Sequence, residues 1–86
     1  MTRQDILDTV IDIIEDVVLH PIDVAITEQS VLTEIMDSLD FVELSLKIDT
    51  NFGISTDYQF MENMFNNGCT VKDIVDLIIK TKEVEE

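Results

Sequence analysis

The sequence predicts an all-α fold: a small bundle of three main helices plus one short helix, with a long ordered loop between helices one and two. Three observations predict it. Apolar residues recur at helical spacing in separated stretches, the chain holds only 2 Gly and 1 Pro to interrupt them, and 45% of its residues are hydrophobic, too many for a disordered acidic tail. With 86 residues there is material for one core, so residues 1–86 are read as a single domain.

Helix one is expected over residues 3–19. Ile6, Val10, Ile13, Ile14 and Val17 share one face, and Asp8, Asp12, Glu15 and Asp16 share the opposite one. Thr2 can cap its start with Asp5 as the reciprocal acid, and His20 followed by Pro21 closes it; His20 is read as a cap or surface group. Residues 20–37 keep neither a period of two nor one of 3.6 and read as a long ordered loop. So long a loop in so small a domain either serves a function or packs its own apolar residues, here Ile22, Val24, Ile26, Val31, Leu32 and Ile35.

Helix two is expected over residues 38–52, stopped by Gly53 in the left-handed conformation. Its wheel carries two apolar stripes: Phe41, Leu44, Ile48 and Phe52 form one, and Leu39, Val42 and Leu46 form another. Either both are buried, or the second is free to meet something else. A short helix over residues 57–65 puts Tyr58, Met61 and Phe65 on one face, before a stop at Asn66, Asn67 and Gly68. The last helix, residues 70–80, aligns Val71, Ile74, Val75, Ile78 and Ile79 behind Thr70 as N-cap. Residues 81–86 are expected to be an acidic, fraying tail.

The formal net charge is −14, from 19 Asp and Glu against 5 Lys and Arg. Such a field repels nucleic acid and anionic membranes and attracts basic proteins in a salt-dependent way. Cys69 has no second cysteine to pair with, residues 1–10 do not read as a secretory signal, and no apolar run approaches the length of a membrane span. A soluble, cytoplasmic, monomeric protein without a membrane span is the expectation. Cys69 itself is read as a small apolar residue rather than a reactive thiol.

Chemistry concentrates in the stretch Ile35 to Leu44, where Ser38 stands between Asp37 and Asp40 at the start of helix two. Two readings are open. Ser38 and Asp37 are favoured types at a helix start because their oxygens accept free backbone N–H groups. Alternatively, an anionic group attached to Ser38 would sit at the positive end of the helix dipole. It would emerge beside the second stripe, rimmed by Asp40 and Glu43.

The run Asp37 to Ile54, "DSLDFVELSLKIDTNFGI", resembles the acyl carrier protein family, whose Asp-Ser-Leu motif opens the second helix. The spacing of helix one, the long loop and "TVKDIVDLI" at Thr70 to Ile78 are similar to that family in the same order. The resemblance implies a 4'-phosphopantetheine arm on Ser38, preceded by Asp37, holding acyl groups as thioesters for fatty acid or related biosynthesis. It also implies that Leu39, Asp40, Val42, Glu43, Leu46 and Asp49 face partners: a phosphopantetheinyl transferase and acyl-processing enzymes with basic docking patches. The acyl chain is then expected between the helices, against Leu44, Ile48, Met61, Met64, Ile74 and Ile78; Met61 and Met64 also read as plain core.

The match has departures. The family usually has a glycine shortly before the Asp-Ser pair, where this chain has Ile35 and Met36; either the loop is shorter or bulkier groups stand beside the attachment site. Lys47, Thr50 and Asn51 replace more acidic or small residues, which fits a specialised polyketide, aminoacyl or peptidyl carrier. An acidic helical interaction module without prosthetic group is the alternative of another class. Catalysis by the chain itself is not expected, since its one His and one Cys form no nucleophile and base pair. No metal site is expected: counted from Asp49, Gly53 and Glu62 miss the glycine and glutamate positions of a calcium loop.

Overall fold

The fold is described by a computed structural model covering residues 2–19 and 22–85, the side chains of 84 and 85 excepted. Four helices follow in chain order: α1 (Arg3–Val17), α2 (Ser38–Phe52), α3 (Tyr58–Asn66) and α4 (Val71–Glu85). α1 packs against α2 and α4, and α2 against α3. Between α1 and α2 the described residues include one 3-10 turn, Leu32–Glu34. Among the described residues there is no strand, only an isolated antiparallel bridge between Val31 and Thr70.

Each helix begins where its sequence provides an acceptor. The Thr2 hydroxyl accepts from Asp5 N–H at 3.2 Å while the Asp5 carboxylate accepts from Thr2 N–H at 3.1 Å, a reciprocal cap that holds the Asp5 carboxyl below its ordinary pKa. Thr70 and Asp73 repeat the arrangement at α4, and Asp57 caps α3. Gly53 ends α2 in the left-handed region at φ 63°, a conformation that costs other residues a steric penalty.

The first stripe of α2 enters the core. Phe41, Leu44, Ile48 and Phe52 are buried together with Ile6, Val10, Ile14, Met61, Phe65, Ile74 and Ile78. The Phe41 and Phe65 rings stack with centroids 4.5 Å apart. The loop is held to the rest by its own apolar residues and by backbone bonds. Leu32 and Ile35 are buried and Ile22, Ile26 and Val31 half-buried, while Leu32 N–H donates to Cys69 O, Val71 N–H to Ser30 O and Lys72 N–H to Glu28 O, each at 3.0 Å. Arg3 adds a polar tie, bonding Glu28 of the loop and Asp76 of α4.

Several expectations need correction. α1 stops at Val17 rather than 19, because Val18 turns to extended backbone that keeps its side chain in the core. The expected stop at His20 and Pro21 lies outside the described residues. α4 starts one residue late and runs on through the presumed tail to Glu85. Lys and Glu are good helix formers, and the Lys82 ammonium donates to the Phe52 carbonyl at 3.0 Å, fastening this last part of α4 to the end of α2. Val24, counted among the packed loop residues, is exposed.

Candidate attachment site at the start of α2

Asp37, not Ser38, is the cap. Its backbone is extended and its carboxylate accepts the Asp40 N–H at 2.9 Å, while its carbonyl accepts the Phe41 N–H at 3.1 Å. Ser38 is therefore the first residue inside the helix. Its side chain is exposed, and among the described residues its hydroxyl takes part in no hydrogen bond. The N–H groups of Ser38 and Leu39 likewise have no acceptor among the described residues, as expected in the opening turn of a helix. A free hydroxyl thus stands beside two free donors at the positive end of α2, chemistry that suits a phosphate ester.

The chain has four serines, and another of them shows the contrast. Ser45 is buried and its hydroxyl donates to the Phe41 carbonyl at 2.9 Å, so it is spent inside the helix.

The second stripe of α2 is not core. Leu39 is 78% exposed, Val42 37% and Leu46 62%, so an apolar band runs along the outside of the helix from the residue next to Ser38. Val42 is one turn beyond Ser38 on the same face. Asp40 is half-buried and Glu43 exposed; among the described residues neither forms an ion pair. Asp49 departs from this rim: its carboxylate accepts both the N–H and the hydroxyl of Thr56, at 3.1 and 2.8 Å, and so staples the segment between α2 and α3. Thr50 and Asn51 bond back to the carbonyls of Leu46 and Lys47.

The bulk of Ile35 and Met36 does not crowd Ser38. Both are buried in the core cluster, and Ile35 has φ −104°, so the backbone here has no need of glycine's left-handed conformation. The interior expected to receive a chain is closed to solvent: Leu44, Ile48, Met61, Ile74 and Ile78 are all 0% exposed, with Met64 only half-buried.

Two surface features escaped the sequence reading. Phe60 on α3 is 53% exposed and lines a groove of about 500 Å³ with Met64, Gly68, Cys69 and Asp73; its spacing four residues before Met64, off the Tyr58–Met61–Phe65 face, is the signal that marks it. A second groove, about 400 Å³, lies on the loop. Cys69 is buried, and desolvation, helped by the charge of Asp73, pushes its thiol up to about 11, the opposite of a reactive cysteine. Among the described residues no group of three or more His, Cys, Asp or Glu is arranged to hold a metal ion, and no helix is long and apolar enough to cross a membrane. The chain matches no family model and no curated protein.

Proposed function

We propose that this chain is an acyl carrier protein, taking a 4'-phosphopantetheine arm on the Ser38 hydroxyl. It serves fatty acid or related biosynthesis in the cytoplasm and acts as a monomer. One observation carries the reading: the Ser38 hydroxyl is exposed and unbonded among the described residues, while the neighbouring Asp37 does the capping. A serine kept merely to start the helix would occupy the capping position.

The residues of the chain divide the work. Asp37 fixes the first turn, and so the direction in which Ser38 leaves the helix. The Ser38 and Leu39 N–H groups, without an acceptor among the described residues, would be the donors available to the phosphate of an attached arm. When bound, the arm supplies a terminal thiol that holds acyl groups as thioesters; the chain itself supplies delivery and recognition. Leu39, Val42 and Leu46 give a partner apolar contact, while Asp40 and Glu43, with the field of a −14 chain, steer basic patches to it. Apolar contact with a charged rim favours fast, salt-sensitive docking and ready release, which suits a carrier that visits several enzymes in turn.

Coexpression with a phosphopantetheinyl transferase, read by intact mass, tests the proposal. The expected result is a gain of the arm's mass. Failure to gain it with several transferases of different specificity would instead favour an acidic interaction module using the same exposed stripe.

A further inference from the structure

α3 and α4 are consecutive in the chain yet lean on different neighbours: α3 packs on α2 and on the 3-10 turn, α4 on α1. A trough is left along the seam between them. Two grooves, of about 500 and 210 Å³, share Phe60, Met64 and Asp73 in their lining; the first continues to Gly68 and Cys69, the second to Asp76, Leu77 and Lys80. The floor is apolar. Phe60 is more than half exposed, while Met64 and Leu77 are half-buried against the core. The walls are set before anything binds, because the Gly68 and Cys69 N–H groups donate to the carbonyls of Phe65 and Met64 at 3.0 and 3.1 Å, and Thr70 with Asp73 fixes the first turn of α4. A preformed trough costs a ligand little ordering. The rim is charged. Asp73 accepts the Thr70 N–H through Oδ2 and Asp76 accepts from the Arg3 guanidinium through Oδ1, so among the described residues each keeps a second oxygen without a donor. Lys80 stands at the far end, and Asp73, Leu77 and Lys80 follow one face of α4 over two turns, about 10 Å.

We infer that this trough docks an amphipathic helix of another protein, apolar on the side that meets Phe60, Met64 and Leu77 and carrying Lys or Arg toward Asp73 and Asp76. The inference goes beyond the carrier reading and needs no arm on Ser38; the lining shares no residue with the outer band of α2. Shape favours a helix: Phe60 and Met64, one turn apart on α3, with Leu77 across the seam, make a furrow that takes apolar anchors at i and i+4. Charge selects the partner. A second copy of a chain with net charge −14, a nucleic acid or an anionic membrane is repelled, whereas a basic segment is steered in, and the apolar floor then supplies contact area that charge alone does not. Lys80 gives the docked helix a direction, since its basic residues fall toward the Asp73 and Asp76 end.

The test titrates the full, unmodified chain with a Leu and Lys peptide of about four helical turns, its Leu residues on one face, and follows methyl spectra. Expected are saturable shifts at the Met64 and Leu77 methyls that persist in Leu46→Asp, where the outer band of α2 is spoiled, and weaken more than about tenfold in Phe60→Asp, with folding of each variant checked by its helical spectrum. A scrambled peptide of the same composition, or a Leu and Glu peptide of the same pattern, should bind far more weakly. Lys80→Glu keeps the test decisive should Phe60→Asp not fold: it makes the rim acidic throughout and should tighten binding at Met64 and Leu77 about threefold or more, whereas Lys47→Glu, the same change of charge on α2, should not. No binding, shifts confined to Leu39 and Leu46, equal affinity for the scrambled or acidic peptide, or equal responses to Lys80→Glu and Lys47→Glu would overturn the inference and leave the carrier reading untouched, since that reading is decided by mass gain at Ser38.

Discussion

Phe41 and Val42 are adjacent in sequence and opposite in surroundings. Phe41 stacks on Phe65 in the interior, whereas Val42 lies on the outer band with Leu39 and Leu46. The two faces of α2 are about equally apolar in composition, so hydrophobicity alone does not say which one the fold uses. The neighbours decide: α1 and α3 pack on the face of Phe41, Leu44 and Ile48, and among the described residues the other face keeps Leu39 and Leu46 mostly exposed. A buried stripe answers to stability, and the uncovered one is the surface that the proposed carrier reading assigns to partners.

The comparison breaks most readily at its buried side. Phe41→Ala should cost about 3–5 kcal/mol through lost burial and the cavity left behind, enough to unfold much of a domain this small. Leu46→Ala should change stability by no more than about 0.5 kcal/mol while weakening capture by any enzyme that reads the outer band. Chemical denaturation of both variants checks this, and equal losses would mean the two faces are not distinct.

A smaller effect separates Asp37 from Ser38. Asp37→Ala removes the cap and should cost about 1 kcal/mol; Ser38→Ala removes an unbonded hydroxyl and should shift stability by less than about 0.5 kcal/mol. A large loss in Ser38→Ala would show that the hydroxyl has a structural partner after all.

Cys69 gives a third contrast, by reactivity. Its folded pKa is raised, so the stability from keeping the thiol neutral is fully present below the ordinary thiol value and is lost as pH rises through about 11. At pH 8 the folded chain should resist alkylation and the unfolded chain react readily, as mass spectrometry after a timed iodoacetamide exposure would show. The smallest expected change is a modest rise in melting temperature with added salt, which screens the repulsion of a −14 chain.

How much of this was legible in the sequence differs by region. The helices on clear apolar stripes, the reciprocal cap at Thr2, the cap at Thr70 and the Gly53 stop follow from local chemistry, and local chemistry is what a sequence states openly. The end of α4 was hidden because Thr81, Lys82 and Glu83 look like a solvated tail until Lys82 finds the Phe52 carbonyl, a partner 30 residues away. Asp49 was hidden in the same way: its acid character fits a docking rim, but Thr56 claims it across a turn. At the candidate site, the residue types in Asp37–Ser38–Leu39 were visible, but which of the first two caps the helix is a matter of backbone angles one residue apart. The fate of the second stripe was undecidable from periodicity, because burial depends on what packs opposite.

The account turns on Ser38 being presented and chemically free at the first turn of a helix; Ser55 is also exposed and unbonded among the described residues, but it lies in the segment between α2 and α3. Fragmentation mass spectrometry of the chain after treatment with a phosphopantetheinyl transferase and coenzyme A, run beside Ser38→Ala, tests that directly. The predicted result is a single added arm on the peptide containing Ser38, absent from the folded variant; an arm on Ser30, Ser45 or Ser55, or an unmodified wild-type chain, would contradict it.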